Sequence, residues 1–356
     1  MFLSIKKPLF IFILAASVVF SAGCIKIRQP IPTATLLKTE TADMAQLQTE
    51  VERFARVRSM RAAKMYLKFE DNSFAQFGSK EVYREADGEI VVQRPASILM
   101  KVKVPFIGSD VAQMTSDGVK FRVAILQDGG TGKYKRFVMG TNNADYSKLT
   151  QNIDLASGNP DAVAAKQVSA FSNLRPQHFT DAMLVRPIDP NCLYTQSTIF
   201  QIEEDETMDK KSPLRKVTRG YYLLDEFVRG SNGSMTISRR FWFDRVGRIR
   251  LAKQQIFDPK GEISSDIVYG REGSLTSTGE FQMPLEISVT RPQEKYSMRL
   301  RYQTPESVVI GKAYPETAFV LENTWNLEVL DLDKKLQELT AVQSSNSNQN
   351  APARVQ

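Results

Sequence analysis

The chain has 356 residues and a formal net charge of +7; 42% of its residues are hydrophobic and 24% are charged. These values are ordinary for a folded protein of one large or two small domains. The basic residues are dispersed and form no nucleic-acid-binding motif, so nucleic acid is not expected as a partner. The single histidine, His178, excludes histidine-rich metal sites.

The first 23 residues have the three parts of a secretory signal peptide. Lys6 and Lys7 form the positive region, residues 8–20 form an apolar run, and three small residues precede Cys24. The apolar run of about 13 residues is short for a bilayer span, which needs about 20. A retained transmembrane anchor is therefore the less favoured alternative. We expect an exported protein that meets no ATP, and removal of the two lysines lowers the net charge from +7 to +5.

The small residues before Cys24 resemble the bacterial lipobox, in which the cysteine thiol is acylated and becomes the first residue of the mature protein. Ser21 stands where that motif usually has leucine. The resemblance implies a lipid anchor at Cys24 and leaves Cys192 without an intramolecular partner. The alternative is ordinary cleavage, after which Cys24 would be free to pair with Cys192.

A tether, residues 24–40, follows and contains two prolines without a hydrophobic period. If extended, it reaches about 40 Å at about 3 Å per residue. In residues 41–57 apolar side chains then recur at helical spacing, which predicts an amphipathic helix. The apolar positions are Met44, Leu47, Val51 and Phe54.

The hydrophobic period changes to two after residue 64, and turn signals separate the alternating runs. This pattern predicts antiparallel strands with one apolar face, and it resumes in residues 197–310. Between the two sets, residues 144–186 predict a helical insert that includes a short helix at 177–184 (QHFTDAML). Residues 336–356 are rich in Gln, Ser and Asn and predict a disordered tail.

These elements predict an α+β fold in a single domain of residues 41–335. An antiparallel sheet of about a dozen twisted strands tends to curl. Because its one apolar face must be covered, the few helices are the natural cover. The predicted architecture is a curved, half-open antiparallel β-barrel with helices covering the concave face.

Four short segments resemble LolA/LolB-like lipoproteins of the lipoprotein-carrier superfamily. They are RPA at 94–96, MTSDGVKF at 114–121, LRP at 174–176 and FWFDR at 241–245. With the order of elements, the resemblance covers most of residues 45–330. It implies a half-open barrel with a helical lid around an apolar cavity for acyl chains.

A lipidated Cys24 is similar to the LolB-type arrangement, in which the protein is anchored to the outer membrane, faces the periplasm and receives lipoproteins. Ile25 stands where an inner-membrane retention signal would have Asp, which favours the outer membrane. LolB-type proteins also expose an apolar side chain in a turn between strands. The resemblance gives that membrane-facing position to Phe106 and Ile107, although an apolar turn residue often packs into its own core.

The expected function is a membrane-anchored protein that binds acyl lipids and accepts or positions acylated lipoproteins, with a periplasmic carrier protein as a candidate partner. One long acyl chain left in water costs on the order of 12 kcal/mol, so such a protein needs an apolar cavity but no reactive group. Core packing is the alternative role for each residue of the alternating apolar faces. The candidate lining residues are Met65, Leu67, Phe69, Ile98, Met100, Val102, Phe121, Val123, Met298 and Leu300. The alternative function is an envelope assembly or stress-sensing scaffold that binds a protein segment.

The sequence lacks complete motifs for nucleotide binding and for catalysis. The segment GGTGK at 129–133 has Gln127 and Tyr134 where a phosphate loop needs Gly and Ser or Thr, and it predicts a hairpin turn. His178 has no serine or cysteine motif near it and is expected to be structural. The acidic run at 203–206 is typical of a solvated loop. We therefore expect no enzyme, no catalytic residue, no cofactor and no metal.

Overall fold

The computed structural model describes residues 33–71, 81–104, 107–127, 135–144, 146, 149 and 177–349. The helices are α1 (Met44–Ala55), α2 (Gln177–Met183) and α3 (Leu332–Gln349). The strands are β1 (Thr35–Leu36), β2 (Ser59–Asp71), β3 (Glu81–Gln93), β4 (Ser97–Lys103), β5 (Asp110–Ser116), β6 (Lys120–Ile125), β7 (Arg136–Thr141), β8 (Leu193–Glu204), β9 (Lys216–Arg229), β10 (Met235–Asp244), β11 (Arg250–Phe257), β12 (Ile263–Tyr269), β13 (Glu272–Leu275), β14 (Phe281–Pro284), β15 (Glu286–Arg291), β16 (Tyr296–Tyr302), β17 (Val309–Ile310) and β18 (Val329–Asp331).

The chain forms two compact units. The smaller contains the described residues up to Leu37 together with Ile202–Thr218, and in it β1 pairs in parallel with the start of β9. The acidic run at 203–206 lies in this unit, where Glu204 makes an ion pair of 2.8 Å with Arg215. The larger unit contains the described residues of Lys38–Gln201 and Arg219–Gln356.

Two meanders build the sheet of the larger unit. Its strand order is β9-β10-β11-β12-β15-β16-β2-β3-β4-β5-β6-β7-β18, so β16 joins the C-terminal meander to the N-terminal one through β2. In that join Met298 faces Phe69 and Leu300 faces Leu67. Every neighbouring pair in this order is antiparallel except β7 with β18. The fold is α+β with few helices, as predicted, and the large sheet is not closed into a barrel.

The sheet bends around α2. This helix contacts β3, β4 and β15, and β15 lies four strand positions from β4. Four inter-strand steps span about 19 Å in a flat sheet, whereas seven helical residues span only about 10 Å. Because so short a helix reaches strands on both sides, the sheet must curve toward it. The short helix predicted at 177–184 is confirmed to within one residue.

Two terminal segments differ from the sequence prediction. Thr35–Leu36, within the predicted tether, is a paired strand. Helix α3 extends to Gln349, through much of the predicted disordered tail. Leu332 is buried, and the Asp333 carboxylate accepts a 2.8 Å hydrogen bond from the Thr141 hydroxyl. Helix nucleation is unfavourable for a polar segment by itself, and tertiary contacts at the first turn offset that cost.

Candidate functional site

The residues predicted to line a cavity lie in one hydrophobic core. They belong to β2, β4, β6 and β16, which the sheet order and alternating side-chain directions bring to a common face. Phe69 and Val102 are partly buried and pack against this core. The others are buried: Met65, Leu67, Ile98, Met100, Phe121, Val123, Met298 and Leu300.

Helices α1 and α2, together called the cover here, bury their apolar sides in the same core. The buried apolar side chains of the cover are Leu47, Val51 and Phe54 of α1 and Phe179, Ala182 and Met183 of α2. The predicted lining residues thus share one core with apolar side chains of the protein's own helices. Seven of the chain's twelve methionines are in this core: Met60, Met65, Met100, Met114, Met183, Met283 and Met298.

Arg94 ties both helices of the cover to the sheet. It directly follows β3, and its guanidinium donates hydrogen bonds to three backbone carbonyls. Nε donates to Val57 O at 3.2 Å and Nη2 to Ala55 O at 3.4 Å, both at the end of α1. Nη2 also donates to Val185 O, just after α2. One side chain therefore satisfies carbonyls that both helix ends leave without intrahelical donors.

Further polar contacts hold the cover at its edges. The Glu52 carboxylate of α1 accepts a 2.7 Å hydrogen bond from the Ile188 amide, which joins α1 to the segment after α2. Arg53 forms an ion pair of 3.0 Å with Glu272 of β13. These polar contacts lie at the edges of the apolar interior and add to the burial of the apolar side chains of both helices.

His178 lies inside the core. Its side chain is 5% exposed, and Nδ1 is 2.6 Å from the hydroxyl of Tyr296, which is itself 2% exposed. The two rings stack with centroids 6.3 Å apart. This placement on α2 against β16 agrees with the structural role expected from the sequence.

A cleft of about 690 Å³ opens beside the end of α1. None of the ten predicted lining residues belongs to it. Its walls are Glu52, Ala55, Arg56, Arg58, Ser59, Gln93, Arg94, Pro187, Gly311 and Ala313. Neither this cleft nor the role of Arg94 was predicted from the sequence, in which the signal for Arg94 is the Arg-Pro pair at the end of an alternating run.

The predicted lipid anchor and membrane-facing turn are described only in part. Cys24 and Phe106 lie outside the described residues, as does the glycine-rich segment at 129–133. Ile107 lies in the turn between β4 and β5 and is 76% exposed, so it does not pack into the core. Cys192 is a free cysteine, and burial together with nearby Glu226 raises the pKa of its thiol. A thiol shifted in that direction is a poor nucleophile.

Among the residues that the structure describes, no group of three or more His, Cys, Asp or Glu side chains is placed to hold a metal ion. In the same part of the chain, no helix has the length and apolarity needed to cross a membrane.

No protein-family model matches the sequence, and no curated protein matches it. Solved structures do match. One is a putative outer membrane lipoprotein-sorting protein domain from Vibrio parahaemolyticus, with 11% identity, coverage of 77% of this chain and 97% of that chain, and a TM-score of 0.38. A LolA superfamily protein from Nitrosomonas europaea has 10% identity, coverage of 79% and 99%, and a TM-score of 0.37. A DUF1329 family protein from Desulfovibrio piger has 10% identity, coverage of 77% and 95%, and a TM-score of 0.36. The second of these proteins carries the name of the superfamily that the sequence resembles.

Proposed function

We propose that this protein is a membrane-anchored lipid-binding protein that accepts or positions acylated lipoproteins at the outer membrane. In this proposal Cys24 carries the anchor, the chain faces the periplasm, and a periplasmic carrier protein delivers the cargo. The observation that carries the proposal is a methionine-rich apolar face under a cover of two short helices. The acyl chain binds between that face and the cover.

The cover must move for an acyl chain to enter, because its own side chains occupy the apolar face in this structure. Burying a long chain contributes about 0.8 kcal/mol per methylene, which offsets the loss of several contacts of the cover. Unbranched, polarisable methionines repack around chains of different shape at low cost. The ten predicted lining residues are therefore proposed as the surface that replaces helix contacts with lipid contacts.

The hydrogen bonds of Arg94 stabilise the cover in the position seen in the structure. Opening the cover separates its guanidinium from the carbonyls of both helix ends, and each hydrogen bond to a charged group contributes about 1.5–3 kcal/mol. Arg94 therefore acts as a latch that sets how often the apolar face is exposed. Phe106 and Ile107 are proposed to contact the bilayer and direct the released chain into it.

The test uses the full-length chain kept soluble by an amphipathic polymer. We expect saturable binding of a fluorescent fatty acid and its displacement by palmitate. The Arg94→Gln variant should bind the probe faster, because its cover opens more often. The matched control is Arg122→Gln. It removes the same charge from a residue of β6 that forms an ion pair with Asp117, away from the cover.

Circular dichroism melting first establishes that each variant is folded. Absence of saturable binding by the folded wild-type chain overturns the proposed function. Equal binding rates for the wild-type, Arg94→Gln and Arg122→Gln chains overturn the latch and leave lipid binding standing.

A further inference from the structure

The cleft at the end of α1 contains unpaired positive charge. Arg56 and Arg58 are exposed and Arg94 is half-buried, and all three line the cleft. Within the described part of the chain, none of them has a carboxylate within ion-pair distance. Glu52 is the one acidic residue of the lining, and it already accepts the Ile188 amide. Three arginines against one carboxylate leave the lining with a net charge of +2.

Neighbouring arginines of the same elements behave differently. Arg53 of α1 pairs with Glu50 at 2.7 Å and with Glu272 at 3.0 Å. Arg61 of β2 pairs with Glu89 at 2.7 Å. The fold thus supplies carboxylates to arginines on either side in sequence but not to Arg56 and Arg58, whose charges face an open space of about 690 Å³.

The positive charge of Arg94 is half-buried, where burial disfavours the charged form. Burial is the largest effect on its guanidinium and lowers the pKa, outweighing the nearby carboxylate of Asp181, which raises it. Its hydrogen bonds use Nε and Nη2, so Nη1 has no partner among the described residues. The carbonyls of Ala55 and Val57 already accept from Arg94, so they do not present free negative dipoles to a ligand at this end of the helix.

We propose that this cleft binds a phosphate group, carried by a lipid headgroup or by free phosphate. The planar guanidinium fork suits the tetrahedral oxygens of phosphate and donates two parallel hydrogen bonds to them. Cleft volumes of about 300–1,000 Å³ are typical for small ligands, so a headgroup fits. The cleft lies at the rim of the apolar core, where Val57 is fully buried. A phospholipid would place its phosphate here and its acyl chains under the cover.

The assignment of the phosphate to a lipid headgroup rests on the proposed function. Phosphate binding by the cleft does not depend on it. The test is isothermal titration calorimetry with three probes. The full-length chain is kept soluble by an amphipathic polymer, and no detergent micelles are present. They are inorganic phosphate, dihexanoyl phosphatidylglycerol and dihexanoylglycerol, which has the acyl chains but no phosphate.

The Arg56→Gln/Arg58→Gln variant should bind both phosphate-bearing probes at least about tenfold more weakly, because it loses charge-assisted hydrogen bonds. Its binding of dihexanoylglycerol should be unchanged. The matched control is Arg61→Gln/Lys64→Gln, which removes two positive charges from β2, outside the cleft, and should bind all three probes as the wild type does.

Arginine-dependent binding of phosphatidylglycerol that exceeds that of inorganic phosphate supports a headgroup site, and equal affinities support a free-phosphate site. Binding of dihexanoylglycerol with no gain from the phosphate overturns the cleft and leaves the proposed function standing. Arginine-dependent phosphate binding without dihexanoylglycerol binding supports the cleft and contradicts the acyl site. Equal phosphate affinities in the variant and its control overturn the inference.

Discussion

Arg239 is 2% exposed, yet its charge is fully compensated. Its guanidinium donates to both carboxylate oxygens of Glu226 and, at 2.8 Å each, to the carbonyls of Arg186 and Pro187. The Tyr194 hydroxyl donates to the same carboxylate at 2.6 Å. Because residues 186–187 follow α2, this network fastens one end of the cover to β9 and β10.

Removal of Arg239 should be strongly destabilising. We expect Arg239→Met to lower the free energy of unfolding by about 3–5 kcal/mol, since it leaves Glu226 buried without its partner. The matched control is Arg240→Met on the same strand, whose ion pair with Asp225 has a more exposed arginine and should cost less. Urea unfolding of both variants measures the difference, and equal losses would contradict this assignment.

The same pair makes stability depend on pH. Burial opposes ionisation of Glu226, but the hydrogen bonds and charge of Arg239 outweigh it and hold the pKa of Glu226 below its usual value of 4.5. A carboxyl with a lowered folded-state pKa contributes stability above its unfolded pKa and loses it as the pH falls through the folded one. In the variant, Glu226 is buried without Arg239 and takes up a proton at a higher pH than in the wild type, so the stability gap between wild type and Arg239→Met should shrink as the pH falls from 7. A gap that is constant from pH 7 to pH 3 would rule this out.

At the scale of elements, α1 depends on its ends and its contacts. Asp43 and Gln46 form a capping box, with Asp43 Oδ1 accepting from the Gln46 amide at 2.8 Å and the Asp43 amide donating to Gln46 Oε1 at 3.0 Å. A helix of 12 residues is marginal in isolation. The cap and the buried stripe of α1 therefore decide together how readily this part of the cover loosens.

Loss of the cap should loosen α1 selectively. We expect Asp43→Ala to cost about 1 kcal/mol and to speed hydrogen exchange of the α1 amides while β4 amides keep their protection. Asp43→Asn retains a side-chain acceptor and serves as the control. Exchange that rises equally in α1 and β4 would show global destabilisation and refute a locally opening cover.

At the scale of the whole molecule, the two turns at opposite ends of β5 carry exposed apolar side chains. Ile107 precedes β5 and is 76% exposed, and Val119 follows it and is 67% exposed. Only the first turn is proposed to contact the bilayer. The two positions therefore form a matched pair with similar exposure and different proposed roles.

Replacement of Phe106 and Ile107 by Ser should slow transfer of a fluorescent acyl lipid from the protein to vesicles, since apolar area that would enter the bilayer is lost. The Ile107→Ser single variant should keep the wild-type melting temperature, because Ile107 is exposed. Val119→Ser should transfer at the wild-type rate. Unaltered transfer by the double variant removes the membrane role from this turn.

The lipid anchor is tested by location in the cell. Cys24→Ser removes the thiol that would be acylated, and a single remaining apolar segment of about 13 residues is too short for a stable span. We expect this variant in the soluble periplasmic fraction and the unaltered chain in the membrane fraction. Membrane retention of the variant would favour an uncleaved anchor.

The local patterns of the sequence by themselves determined the helix at α1, the short helix α2 and the alternating strands with their buried faces. These features depend on residues within one or two turns or along one strand, so hydrophobic period and turn chemistry are sufficient to predict them. The same patterns placed Met65, Met100 and Met298 on apolar faces, and the structure collects them in one core.

Only the tertiary structure decided what covers that core and what holds the cover. Arg94 reaches carbonyls 37 and 91 residues away in sequence, and β16 pairs with a strand more than 200 residues before it. Arg53 has a local partner in Glu50 of the same helix, but its second partner Glu272 and the Glu89 partner of Arg61 come from other elements. Whether an arginine finds a carboxylate depends on which distant segments the bent sheet brings beside it, and that is a property of the packed chain.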